Sequence, residues 1–176
     1  MIRSKTQSWW PGLFIEIGID CQEPRREGNE MEKDELIETV SGLIQLDIDT
    51  VYSYNQALDE IEDEIIRARL TEFRDMHQNH IKNLSDVIRT LGAEPPRIKK
   101  DLKGFVIEAL TALRGLTGMA GALKALKTTE EITNRLYGEV VSKDVPSPLK
   151  EILREHFTDE KIHLDYIDSN LEALRW

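Results

Sequence analysis

Asp47 and His80 stand 33 positions apart, and so do Glu130 and His163. Each pair joins a carboxylate to an imidazole, a donor set that suits iron, manganese or zinc where no thiolate is offered. Two more groups precede the histidines by three residues, His77 in His77-Gln78-Asn79-His80 and Glu160 in Glu160-Lys161-Ile162-His163. Positions i and i+3 of a helix share a face, so each of these motifs presents two donors side by side. Asp47, Glu130 and Glu160 bring three formal negative charges, and no Lys or Arg stands in the seams at their level. A buried carboxylate must be neutralised or find a counter-charge. A divalent cation would serve for all three. The competing account is a buried polar network in which histidine and carboxylate only hydrogen-bond one another.

Four apolar seams must position these groups. Ile37, Val40, Ile44, Asp47, Val51, Tyr54, Leu58 and Ile61 alternate steps of three and four, the inward stripe of a bundled helix. A second seam runs Ile66, Leu70, Phe73, His77, His80, Leu84, Val87, Leu91 and stops at Gly92 and Pro95-Pro96. The third runs Leu123, Leu126, Glu130, Thr133, Tyr137, Val140 to the break at Pro146-Ser147-Pro148. The fourth runs Leu149, Leu153, His156, Glu160, His163, Ile167, with Leu171 and Leu174 beyond. The midpoint between Asp47 and His80 falls in Glu62-Asp63-Glu64, and that between Glu130 and His163 falls in Pro146-Ser147-Pro148. Residues equidistant from the turn of an antiparallel hairpin lie at one height, here about 25 Å from each turn at 1.5 Å per residue. The four groups are therefore expected in one layer of the core.

The hairpins also align on each other. A shift of 83 carries Asp47 to Glu130, Tyr54 to Tyr137, Leu70 to Leu153, His77 to Glu160 and His80 to His163. An internal pseudo-twofold would present two similar donor sets to one central point. Tyr54 and Tyr137, one heptad beyond Asp47 and Glu130, are expected near that point, as aromatic filler with a satisfied hydroxyl or as partners of the site. Asp49 and Asp75 lie off the seams and are expected in solvent, whereas His156 is expected as a core or edge histidine.

The composition limits the alternatives. With 176 residues the chain is long enough for one well-packed domain, and a net charge of −10 disfavours nucleic acid or an anionic membrane surface as partner. Cys21 is the single cysteine, so neither an internal disulfide nor a Cys-rich metal site can form. No apolar run reaches the length of a membrane span, and the balance is that of a cytoplasmic helical protein. Residues 1–30 break with the periodicity that follows, and Glu16 interrupts their apolar run. They are expected to be either a mis-assigned start ahead of Met31 or a docking arm, with the fold in 31–176. Between the second and third seams lies a long connection whose middle, Phe105 to Leu116, reads as an extra amphipathic helix. The fold class expected is all-α: a four-helix bundle of two antiparallel hairpins joined by a long crossover carrying that short helix.

On these residues the chain resembles the ferritin-like di-iron carboxylate superfamily, in its rubrerythrin-like branch, and especially small bacterial ferritin-like domains of unassigned function. The superfamily pattern is a Glu on helices one and three and Glu-x-x-His on helices two and four. Glu130 matches the third-helix Glu, and Glu160-Lys161-Ile162-His163 matches the fourth-helix motif in full. On the second helix His80 is kept but His77 stands where Glu is expected, and on the first Asp47 replaces Glu. The resemblance implies two iron ions, with manganese or zinc as alternatives, held by Asp47, His77, His80, Glu130, Glu160 and His163. The two departures argue against a symmetric carboxylate-bridged pair and leave room for an asymmetric pair or a single ion.

The resemblance also implies non-haem redox chemistry on Fe2+, peroxide or oxygen, with Tyr54 and Tyr137 as hydrogen-bond partners or electron donors. No Cys-x-x-Cys relay is present, so a peroxidase of this kind would need an external reductant. Two other functions fit the sequence. One is storage or buffering of metal without turnover. The other is a non-enzymatic helical module, stress-related or partner-binding, whose polar layer fixes register. The apolar residues of 105–121 would then form a homodimer or partner interface, or else pack within the chain.

Overall fold

The computed structural model describes residues 31–96 and 118–174. They form four helices: α1 (Lys33–Leu58), α2 (Glu64–Thr90), α3 (Gly118–Ser142) and α4 (Ser147–Ala173). No strand occurs among the described residues, and none of the helices is long and apolar enough to cross a membrane. The expected leader at 1–30, the crossover helix at 105–116 and most of the 105–121 interface lie outside the described residues.

Local chemistry sets the helix ends. The Asp63 carboxylate accepts from the Ile65 and Ile66 amides at 2.9 and 3.0 Å, satisfying two of the donors orphaned at the start of α2. Gly92, at φ +78°, closes the other end. Its amide donates to the Arg89 carbonyl at 2.9 Å and that of Ala93 to Ile88 at 3.1 Å, the paired bonds of a Schellman stop. Pro148 lies in the first turn of α4, where a missing N–H costs nothing.

α1 packs on α2 and on α3, α3 packs on α4, and α2 meets α4 least. Side-chain pairings fix the directions. Thr50 meets Thr133, Tyr54 reaches back to Glu130, and Asp47 meets Tyr137, so ascending α1 means descending α3. Asn83 meets His156 and Phe73 meets Tyr166, so α2 and α4 are antiparallel as well. α2 and α3 therefore run in the same direction. Leu91 and Gly118 therefore stand at opposite ends of the bundle, about 40 Å apart at the rise of an α-helix, with Gly118 beside Glu60. Two hairpins with one long crossover is the topology expected from the seams.

The apolar core is split in two. Val40, Leu43, Ile44, Leu84, Ile88, Tyr137, Val140, Leu149 and Leu153 belong to one cluster. Leu123, Leu126, Ile167, Leu171, Tyr54, Ala57 and Leu70 belong to the other. The 83-residue shift exchanges members of one cluster with members of the other, so the repeat governs the packing as well as the polar groups. Between the clusters lies the buried polar layer. Several expectations need correction: beyond α1, Ile66 and Val87 are only partly buried and Leu174 is 43% exposed. Ile37, Val51 and Leu58 are only partly buried, while Leu36, Leu43, Leu46 and Thr50 are buried, because α1 faces two neighbours and presents a wider stripe than one seam. Asp49 is 3% exposed rather than solvated, and Gln45 Nε2 donates to its carboxylate at 3.0 Å. Asp75 is exposed, as expected, beside Arg74.

Candidate metal centre

Each helix sends donors into the layer: Asp47 from α1, His77 and His80 from α2, Glu130 from α3, Glu160 and His163 from α4. All six are buried. They form two overlapping groups, Asp47–His77–His80–Glu160 and His77–Glu130–Glu160–His163, and within each the donor atoms lie within 4.8 Å of one another. The groups share two residues. His77 turns Nδ1 towards Asp47 Oδ1 at 2.9 Å and Nε2 towards Glu130 Oε1 at 3.3 Å. Glu160 turns Oε1 towards His80 Nδ1 at 3.2 Å and Oε2 towards His163 Nδ1 at 3.9 Å. His77 thus occupies the middle of the layer, where a symmetric set would have placed a fourth carboxylate.

The tyrosines are exchanged between the halves. Tyr54 Oη donates to Glu130 Oε1 at 2.5 Å, and Tyr137 Oη donates to Asp47 Oδ2 at 2.7 Å. The 83-residue shift turns each of these bonds into the other. Burial, reinforced by the carboxylates beside them, holds both phenols protonated well above their ordinary range. Each can therefore only donate to its carboxylate; Tyr54 leaves Glu130 Oε2 free, whereas Asp47 has Tyr137 on Oδ2 and His77 on Oδ1.

Electrostatics distributes the protons unevenly. Burial works against the Asp47 carboxylate, but His77 and His80 outweigh it and hold this group well below the usual range. Glu130 is lowered as well, against its burial, chiefly by His77. Burial pushes Glu160 up to about 8, with Glu130 and Asp47 adding to the rise against the pull of His77. His80 is raised to about 10 against its burial by Asp159, Asp47 and Glu160, and His77 is raised well above its usual value. Burial lowers His163 to about 3. The raised His77 and His80 thus face the lowered carboxylates of Asp47, Glu130 and Asp159, while Glu160 is shifted towards its neutral acid and His163 towards its neutral ring.

Hydrogen bonding leaves the layer incomplete. Among the described residues the buried side-chain atoms without a hydrogen-bond partner are His80 Nδ1, Glu130 Oε2, Glu160 Oε1, Glu160 Oε2, His163 Nδ1 and His163 Nε2. All belong to four of the six sequence-predicted donors. Each such group costs roughly 1–3 kcal/mol when left unsatisfied in a core. Imidazole nitrogens and carboxylate oxygens are the atoms that a divalent metal accepts, so the residues present fit such an ion. The buried His, Asp and Glu groups are compatible with metal binding.

Four neighbours were not legible as site residues. Asp159 accepts from His80 Nε2 at 3.1 Å, which leaves Nδ1 of that ring facing the layer. His156 stacks on His80 with centroids 3.8 Å apart and meets Tyr137 Oη at 3.4 Å, so the expected core histidine abuts the site. Thr50 and Thr133 meet at 3.3 Å across α1 and α3. Asp159 directly precedes the Glu-x-x-His motif, and that position was the one available signal; a carboxylate there is about 100° round the helix from Glu160, at the edge of the seam, and reads as solvated.

Comparison with known proteins bears on the fold. The structure is similar to "Crystal structure of ferritin like, diiron-carboxylate proteins from Bacillus anthracis str. Ames" at a TM-score of 0.63 and 18% identity, covering 80% of this chain and 99% of that one. The ferritin-like four-helix bundle is thereby shown. No curated protein matches the chain. A sequence model described as "Domain of unknown function (DUF2383)" matches residues 35–143. That span takes in α1, α2 and α3 but stops short of α4, which carries Glu160 and His163.

Proposed function

The chain belongs to the DUF2383 family, a domain of unknown function, and from its buried donor groups we propose that the layer binds two iron ions for redox chemistry on Fe2+, peroxide or oxygen. The observation that carries this reading is the set of six orphaned atoms on His80, Glu130, Glu160 and His163. Asp47, His77, His80, Glu130, Glu160 and His163 would hold the metal. Manganese or zinc would satisfy the same donors.

Bound iron would supply one-electron chemistry at an open position. The chain contributes the surroundings. Glu160, with an oxygen towards each histidine neighbour, can serve both donor groups at once. Tyr54 and Tyr137 fix the Glu130 and Asp47 carboxylates by donating to one oxygen of each. The apolar clusters on either side keep bulk water from the layer. His77 holds a proton between Asp47 and Glu130 in the metal-free state and must give it up, or turn, for a donor nitrogen to become free.

The test is an anaerobic Fe2+ titration followed by exposure to oxygen or peroxide, comparing wild type with Glu160→Ala. Oxidation faster than for free Fe2+ in the wild type alone supports the redox reading. Iron held without accelerated oxidation would instead support storage. A second reading rests on one observation: His77 already bridges Asp47 and one oxygen of Glu130. A bundle whose polar layer only fixes register would keep that arrangement, and its stability would not respond to iron.

A further inference from the structure

The 83-residue shift relates the two halves of the layer but not their flanks. Asp159 stands where Met76 stands, His156 where Phe73 stands, and Tyr166 where Asn83 stands. The flank of His80 is polar. Its Nε2 donates to Asp159, Asn83 Nδ2 donates to His156 Nε2 at 3.4 Å, and His156 stacks on the His80 ring. The flank of His163 is aromatic and apolar. Phe73 packs on that ring at a tilt of 34° with centroids 4.2 Å apart, Tyr166 closes edge-on over Phe73, and Met76 packs into the same cluster.

The polar flank reaches water. The Asp159 side chain is 30% exposed, whereas that of His80 is 3% exposed. His80 Nδ1 is buried, unpartnered and turned towards Asp47 Oδ1 and Glu160 Oε1, at 3.8 and 3.2 Å. One imidazole thus separates a solvent-facing carboxylate from the buried donors. Among the described residues the other half offers no such sequence of groups. A hydrated divalent cation loses its water more readily where charged oxygens replace it than against an apolar wall.

We propose that divalent cations reach the layer on one side only, across Asp159 and His80, with Asp159 as the first carboxylate the ion meets. This rests on the reading that the layer holds metal. The two halves of the centre then differ in access although the repeat makes them similar in composition.

The experiment mixes metal-free full-length protein with Co2+ and follows the visible absorption of the coordinated ion by stopped flow. Uptake by Asp159→Leu is expected to slow on the order of tenfold, at the lower end of what local charge contributes to ion capture. The final cobalt content and the helical circular dichroism are expected to match wild type. Met76→Leu, on the apolar flank, is expected to keep the wild-type rate. An unchanged rate in Asp159→Leu overturns the route while leaving the metal reading intact. So does an equal slowing in Met76→Leu, or a loss of final cobalt in a folded Asp159→Leu, which would make Asp159 a holder of the ion. A wild-type protein that takes up no cobalt overturns the route together with the reading beneath it.

Discussion

Thr50 and Thr133 meet hydroxyl to hydroxyl at 3.3 Å across α1 and α3, and the 83 residues between them are the same shift that carries Asp47 to Glu130 and Tyr54 to Tyr137. They mark the line about which one hairpin is exchanged for the other. Each hydroxyl also donates to the carbonyl one turn back in its own helix, Thr50 to Leu46 and Thr133 to Thr129, both at 3.0 Å. Neither has a second proton to give. Thr50→Val with Thr133→Val is therefore expected to lie within about 1 kcal/mol of wild type, because with both protons committed to helix carbonyls the contact carries no donated hydrogen bond to lose. Equilibrium denaturation of the single and double variants measures this, and a strongly destabilised double variant would show that the contact holds the hairpins together.

The crossed tyrosines lead to a matched pair of losses. Tyr54→Phe leaves Glu130 without its donor from α1, and Tyr137→Phe does the same to Asp47 from the other side. Each is expected to cost about 1–3 kcal/mol in metal-free protein, the range for a buried acceptor that loses its partner. Denaturant melts would check this. A neutral Tyr137→Phe would mean that His77 and His80 alone satisfy Asp47.

His77 is the chain's main departure from a symmetric donor set. His77→Glu removes the cation between Asp47 and Glu130 and adds a fourth buried carboxylate. Metal-free stability is expected to fall by about 3–5 kcal/mol, as when one partner of a buried ion pair is removed. Metal is expected to recover the loss, so the gap between metal-free and metal-loaded melting should be wider in the variant than in wild type. A variant that metal does not rescue would count against a role for position 77 beside the ions.

The pH response follows from the protons of the layer. His80, raised from 6.5 to about 10, stabilises the metal-free fold fully below pH 6.5, and that contribution is lost as pH rises towards 10. Glu160, raised from 4.5 to about 8, is ionised more readily in the unfolded chain, so stability also falls between pH 4.5 and 8 on its account. Between pH 6.5 and 8 the two act together, each with a slope of up to about 1.4 kcal/mol per pH unit. His163, lowered to about 3, acts oppositely, and only below 6.5. Metal needs the deprotonated donors, so loaded protein should gain relative stability over the window in which the metal-free protein loses it. Melting series at pH 6.5, 7.25 and 8, with and without metal, would register the crossing; parallel curves would contradict it.

Much of this was legible in the sequence, for identifiable reasons. The polar donors interrupt seams of strict three-four spacing, so Asp47, His80, Glu130 and His163 stood out as charged or titratable groups facing inward. The repeat then placed them at one height. What the spacing could not carry was lateral geometry. Thr50 is buried because α1 has a second neighbour in α3, which a single-stripe reading omits. Asp49 is buried off the seam, its carboxylate accepting from Gln45. Asp159 depends on α4 standing close enough to α2 for its carboxylate to reach His80, a relation between helices that no spacing along one helix contains.

The central claim is that the orphaned donors exist to hold metal. Elemental analysis of protein reconstituted anaerobically with Fe2+ and freed of excess tests it most directly, with Glu160→Ala beside wild type. Glu160 belongs to both donor groups and contributes two of the six unpartnered atoms, so its loss should empty the layer. About two equivalents of iron in wild type and close to none in a folded variant is the predicted result, two being the number of donor groups. No metal in either protein after reconstitution would contradict the account and make the layer a structural network.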